Sequence, residues 1–201
     1  MRGSIIPVTA KQSVTRALLA TLSPARYKLG AGGKDPSLPY PMSSLDGVFG
    51  SDCVGFVAWA LGFDRFQEKE FSTFGGWINT DSILIDAAGK QEFFEFTDKP
   101  RTGDLVVFPS ILKDGKRIRI GHVALVTGTQ TNTAAWTDNL WRREKSDRAT
   151  YLEKVIVIDC SANILRKLAG HAIQQTTAAA SWNKPDARFV RYKRQASEAK
   201  P

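Results

Sequence analysis

Apolar positions along this chain follow two different rhythms. Over residues 13–22, Val14, Ala17, Leu18 and Leu22 recur every three to four positions, and over residues 53–61 Val54, Val57, Ala58 and Leu61 do the same. That spacing predicts two helices, each with one apolar side. The second has signals at both ends: Ser51 and Asp52 are good capping residues, and Gly62 is a C-terminal stop. Asn79-Thr80-Asp81 caps a third, short helix through Ile83, Leu84, Ala87 and Ala88, ended by Gly89. Beyond it the apolar runs become shorter and richer in β-branched and aromatic residues. Glu92–Phe96, Leu105–Phe108, Ile118–Thr127, Val155–Asp159 and Ala187–Tyr192 read as strands, with Pro109 closing the second of them. Lys113-Asp114-Gly115-Lys116 is a hairpin turn. Alternation puts His122, Ala124 and Val126 on one face of their strand. Residues 161–172 predict one more helix. Helices first and mostly antiparallel strands afterwards is an α+β pattern, not a series of βαβ units.

The segments between these elements are polar or irregular. Residues 34–50 are rich in Pro, Ser, Gly and Asp; residues 63–100 form an excursion around the third helix; residues 128–153 form a long polar insertion carrying Trp136, Trp141, Arg142 and Arg143. Residues 1–12 are expected to be a lead-in, 13–193 a single domain and 194–201 a basic polar tail. A length of 201 residues with 42% hydrophobic and 10% aromatic content describes one globular domain with a real core.

Charge and cysteine usage narrow the function. The formal net charge of +8 favours a polyanionic partner such as nucleic acid, anionic lipid or an acidic cell-wall polymer. Part of it lies late, at Arg188, Arg191, Lys193 and Arg194. No aromatic-flanked basic motif accompanies it, so no specific nucleic-acid partner is expected. The glycine-rich stretch Gly30-Ala31-Gly32-Gly33 lacks the Lys-Ser/Thr ending of a phosphate-binding loop. Two cysteines, Cys53 and Cys160, are too few for a disulfide scaffold or a cysteine-based zinc site, and no metal or other cofactor is implied. No stretch is long enough to span a membrane, and the first residues lack a signal-peptide core. The expectation is synthesis in the cytoplasm with release to the cell wall by lysis or a secretion system, or a signal removed ahead of this sequence.

Cys53 opens the second predicted helix, where the positive end of the helix dipole favours thiolate over thiol. His122 follows on a strand. A thiolate beside an imidazole, with a polar partner to orient the ring, is the requirement of nucleophilic acyl transfer. The remaining special residues have plainer readings. Cys160 reads as a core thiol, His171 as structural, and Trp136, Trp141 and Trp182 either stack on sugar or bury area.

Five stretches resemble the NlpC/P60 cysteine peptidases, near the CHAP amidases and within the papain-like superfamily. They are Tyr27-Lys28-Leu29-Gly30, Asp52-Cys53-Val54-Gly55-Phe56-Val57, Pro100-Arg101-Thr102-Gly103-Asp104-Leu105, Gly121-His122-Val123-Ala124 and Val157-Ile158-Asp159. The resemblance implies a papain-like fold with the cysteine helix packed on a mostly antiparallel sheet. It implies Cys53 as nucleophile, His122 as general base and then acid, and Asp159 as the orienting third residue, with Ser161 and Asn163 as substitutes for it. Tyr27 matches a tyrosine near the nucleophile and is assigned to oxyanion stabilisation or substrate positioning. Two positions depart from the family: Val54 stands where a serine is usual, and Asp159 where histidine is frequent. The implied activity is hydrolysis of amide bonds in peptidoglycan peptides, by an endopeptidase or amidase acting as a monomer. Two alternatives stay open: a same-fold acyltransferase, deamidase or toxin acting on another amide, and an inactive cell-wall-binding module.

Overall fold

A computed structural model describes residues 6–23, 25–41, 50–66, 77–129, 144–162 and 171–193. Its centre is a six-stranded sheet, antiparallel at every pairing. The strands are β3 (Phe94–Phe96), β4 (Leu105–Phe108), β7 (His122–Thr129), β8 (Val155–Cys160), β9 (Ile173–Thr177) and β10 (Arg188–Tyr192). Their order across the sheet is β3-β10-β4-β7-β8-β9. Two short strands, β1 (Arg26–Tyr27) and β2 (Gly50–Ser51), pair in parallel ahead of the cysteine helix. A separate hairpin joins β5 (Ile111–Lys113) to β6 (Lys116–Arg119). Its turn residues Asp114 and Gly115 have φ of 51° and 72°, the paired positive values of a primed turn that follows strand twist.

Both faces of the sheet are covered, so its central strands lack polar alternation. Leu105, Val107, Val123, Leu125, Ile158 and Cys160 point into one apolar cluster, shared with helix α2 (Cys53–Leu61). Val106, Ala124, Val126 and Val157 point into the other, with Tyr151 and Leu152 of α4 (Lys145–Leu152) and Trp182 of α5 (Ala179–Trp182). Period-two alternation thus sorts side chains between two cores and not between core and water. Every residue of α2 is buried, because the helix lies between the sheet and α1 (Ala10–Ala20). Helix α3 (Thr80–Ala88) packs against β3 and β4.

Several predicted boundaries move, each for a local reason. Helix α1 starts at Ala10, not Ser13, because Thr9 and Gln12 form a capping box. Just ahead of it, Val8 is buried and the Ile6 N–H donates to the Gly62 carbonyl at 2.9 Å. The buried side of α1 carries Ser13, Ala17 and Ala20, whereas Leu18 and Leu22 are exposed. Small residues let α1 approach α2 closely. The predicted strand Ile118–Thr127 is two elements, β6 and β7, broken at Ile120-Gly121. A Cβ on Gly121 would sit 2.0 Å from Thr80 Oγ1, so the chain turns there against the start of α3. Within the polar insertion, α4 forms by burying Tyr151 and Leu152. The predicted helix over 161–172 falls mostly at 163–170, outside the described residues; Ala172 leads directly into β9, which its Gln and Thr content concealed.

The Gly103-Asp104 pair has a structural role. Gly103 takes φ 92°, and buried Asp104 accepts the Arg101 N–H at 2.9 Å. The Nε and Nη2 of Arg191 both donate to the same carboxylate at 2.9 Å, tying β10 to the turn before β4. One of the late basic residues is thus committed inside the fold. Asp104→Ala removes the main acceptor of that guanidinium and of the Arg101 N–H, leaving Arg191 only Thr97, Lys99 and Glu95 among the described residues, and is expected to lower unfolding stability by about 2 kcal/mol, read as a fall in the urea midpoint.

Candidate active site

The cysteine helix begins where its capping signals place it. Asp52 is the N-cap: its Oδ1 accepts the Gly55 N–H at 2.7 Å and its Oδ2 the Gly30 N–H at 2.8 Å. Gly62 ends the helix in the left-handed region at φ 80°. Cys53 is therefore the first helical residue. Its own N–H belongs to the turn whose donors have no partner within a helix. Its side chain is 5% exposed at the edge of a small cleft of about 110 Å³.

His122 sits at the first position of β7 and pairs with Phe108 of β4. Its Nε2 lies 2.8 Å from Asp159 Oδ2, on neighbouring β8. That leaves Nδ1 free to face the Cys53 sulfur, which lies close enough to act on the ring. The imidazole face stacks on Trp182, with ring centroids 5.1 Å apart at 17°. The carboxylate and the indole thus fix the ring on two sides. Burial works against a charged imidazole here. It is outweighed by the negative charge of Cys53, the hydrogen bonds to Asp159 and Cys53, and the charge of Asp159, which together push the His122 proton affinity up to about pKa 10. The direction of this shift favours the imidazolium at neutral pH.

Tyr27 is half-buried at the end of β1 and lines the cleft beside Cys53. Burial raises its phenol above the ordinary value, and the neighbouring Cys53 and Asp52 raise it further. The hydroxyl keeps its proton and remains a donor.

Of the predicted residues, Cys53, His122 and Asp159 come together around one imidazole, and Tyr27 stands at the same cleft. Ser161 is turned to the sheet edge by its backbone, whose N–H donates to Ala172 at 3.0 Å. Asn163, Trp136 and Trp141 lie outside the described residues. Cys160 is a buried free thiol whose Sγ donates to the Ser51 carbonyl at 3.2 Å. His171 precedes β9 in an exposed loop, its Nδ1 3.2 Å from the Ser23 carbonyl. Trp182 is fully buried, so of its two readings burial is the one observed. Two contributors carried no sequence signal: Trp182 as a plate for the imidazole, and Arg65, which reaches Asp52 from beyond the helix C-terminus. Among the described residues, no group of three or more His, Cys, Asp or Glu is placed to hold a metal, and no helix is long and apolar enough to cross a membrane.

A helix-borne cysteine packed on an antiparallel sheet that carries a histidine defines a papain-like cysteine/amidase domain. The chain belongs to the CHAP domain family, a relative of NlpC/P60, whose pattern matches residues 43–145, just over half of the sequence. The matched stretch contains Cys53 and His122 and stops short of Asp159. No curated protein matches the chain. Membership supports a hydrolase of the amidase or peptidase kind that acts on peptidoglycan.

Proposed function

We propose that this protein is a cysteine hydrolase that cleaves amide bonds in bacterial peptidoglycan peptides, with Cys53, His122 and Asp159 as its catalytic group. The observation that carries the reading is the His122 imidazole, bonded to Asp159 at 2.8 Å and lying close enough to the helix-borne Cys53 to be influenced by it. The chemistry runs through a thiolate beside an imidazolium. The Cys53 sulfur attacks the amide carbonyl carbon, and the carbonyl π electrons move onto oxygen. The Cys53 N–H and the Tyr27 hydroxyl donate to that oxyanion. As the tetrahedral intermediate collapses, the C–N bond breaks and His122 Nδ1 delivers its proton to the leaving amine. The neutral imidazole then takes a proton from water. The hydroxide attacks the thioester and releases the carboxylic acid, restoring thiolate and imidazolium.

Val54 places an apolar side chain in the cleft wall where the family usually has serine, so the peptide preference belongs to this chain. The basic surface suits an anionic wall polymer. The test is digestion of purified peptidoglycan with mass spectrometry of the soluble products. New muropeptides, absent after iodoacetamide treatment, are expected, and their masses name the bond. Intact wall from a protein whose Cys53 is alkylated readily would favour an acyl transfer on a different amide.

A further inference from the structure

A thiolate at Cys53 forms next to a buried carboxylate. Asp52 immediately precedes it and is 3% exposed. A fixed negative charge one residue away opposes the formation of a second one. Capping alone does not require that charge, because asparagine caps a helix as well as aspartate. The counter-charge is Arg65, whose Nη1 donates to Asp52 Oδ1 at 2.6 Å. Resting on the reading of Cys53 as nucleophile, we propose that Arg65 is a positioning residue of this site: it cancels the Asp52 charge and locks the start of the cysteine helix to the glycine loop and to the entry of α3.

The lock is built from both ends of the guanidinium. Besides Asp52, Nη1 donates to the Ala31 carbonyl at 3.1 Å, and Nη2 to the Ile78 carbonyl at 3.3 Å. The Arg65 backbone completes the clasp, donating to Gly33 at 2.9 Å and accepting from the Ile78 N–H at 2.8 Å. Gly55 leaves the space. A Cβ there would meet the Ala31 carbonyl at 2.3 Å and Arg65 Nη1 at 3.0 Å, which gives the Asp-Cys-Val-Gly motif its glycine. The guanidinium lies over the Trp77 ring at 4.3 Å, and Arg65 is 1% exposed. Water does not screen a pair held this way, and Asp52 directly precedes Cys53 in the chain.

Other charged and titratable groups also face this thiol. Tyr27 approaches from β1 and His122 from β7 with Asp159 behind it, while Cys160 on β8 turns its thiol to the Ser51 carbonyl. Asp81 and Arg117 line the same cleft; the Asp81 carboxylate accepts from Ser110 N at 2.8 Å and from its hydroxyl. Tyr27 senses Cys53, Asp52 and Arg65 together, which places all three in one electrostatic cluster.

The test is the pH dependence of Cys53 alkylation by iodoacetamide, followed by peptide mass mapping. It compares the wild type with Asp52→Asn, Arg65→Gln, Arg65→Lys and the double variant Asp52→Asn/Arg65→Gln. Removing the carboxylate alone is expected to lower the alkylation midpoint by about one pH unit, and removing the cation alone to raise it by about one. Arg65→Lys keeps the wild-type midpoint within a few tenths of a unit, and the double variant returns to it. A merely structural arginine predicts no opposite shift in Asp52→Asn and no recovery in the double variant. An unchanged or raised midpoint in Asp52→Asn overturns the inference, and that variant keeps its cap even if Arg65→Gln fails to fold. A wild-type Cys53 that never reacts between about pH 5 and 9 sinks the hydrolase reading itself, and this inference with it.

Discussion

Replacing Cys53 by alanine is expected to lower peptidoglycan hydrolysis by about three orders of magnitude or more while leaving the fold in place. The side chain is small and nearly buried, so alanine fills most of its volume, and the lost sulfur contact costs about 1 kcal/mol of stability. The chemistry has no substitute. Cys160 is buried beneath the helix start with its thiol turned to the Ser51 carbonyl, and among the described residues no hydroxyl is bonded to the His122 ring. The variant also removes the charge that does most to hold the His122 proton, so this imidazole should titrate at a lower pH than in the wild type. Rates of muropeptide release and a proton NMR titration of His122 measure the two effects. Retention of more than a tenth of the activity would mean that the nucleophile lies elsewhere.

Asp159→Asn is expected to reduce kcat/KM by about 100-fold and to move the alkaline limb of its pH profile downward. Asp159 raises the His122 proton affinity by its hydrogen bond and by its charge, and the amide keeps only a neutral contact. General-acid delivery to the leaving amine needs the protonated ring. Wild-type activity should therefore persist on the alkaline side and fall only as pH nears about 10. The same proton links to stability. The folded-state value of about 10 lies above the ordinary 6.5, so its stabilising contribution is complete below about pH 6.5 and is lost as pH rises towards 10. An Asp159→Asn profile that superposes on the wild type would remove Asp159 from its orienting role.

Much of this site is legible in the chain because its signals are local. A cap residue, a cysteine, apolar positions at helical spacing and a glycine stop occupy one continuous stretch, Asp52 to Gly62, and that stretch folds as read. Asn79 to Gly89 behaves the same way. The strands at Leu105–Phe108 and Val155–Ile158 announce themselves by unbroken apolar runs, a consequence of burial on both faces, and Arg188–Tyr192 by its aromatic and β-branched residues. Errors arise where a partner overrides the local signal. Ile173–Thr177 has the polar content of a loop, but β8 supplies its ladder, so it becomes an edge strand. Leu18 and Leu22 are apolar yet exposed, because α2 requires the small side of α1.

Residue types and their order, a helix-borne cysteine followed by a strand-borne histidine, are properties of the sequence alone. So are the α+β pattern and the basic charge. Which groups touch the imidazole was decided by the tertiary structure. Strand register aligns Asp159 with His122 across 37 residues, and the return of the chain through α5 lays Trp182 on the ring. A side chain from beyond the helix C-terminus neutralises the cap at its N-terminus. These contacts join positions with no shared periodicity. They are selected by burial, which tolerates a charge only where an opposite charge and hydrogen bonds meet it.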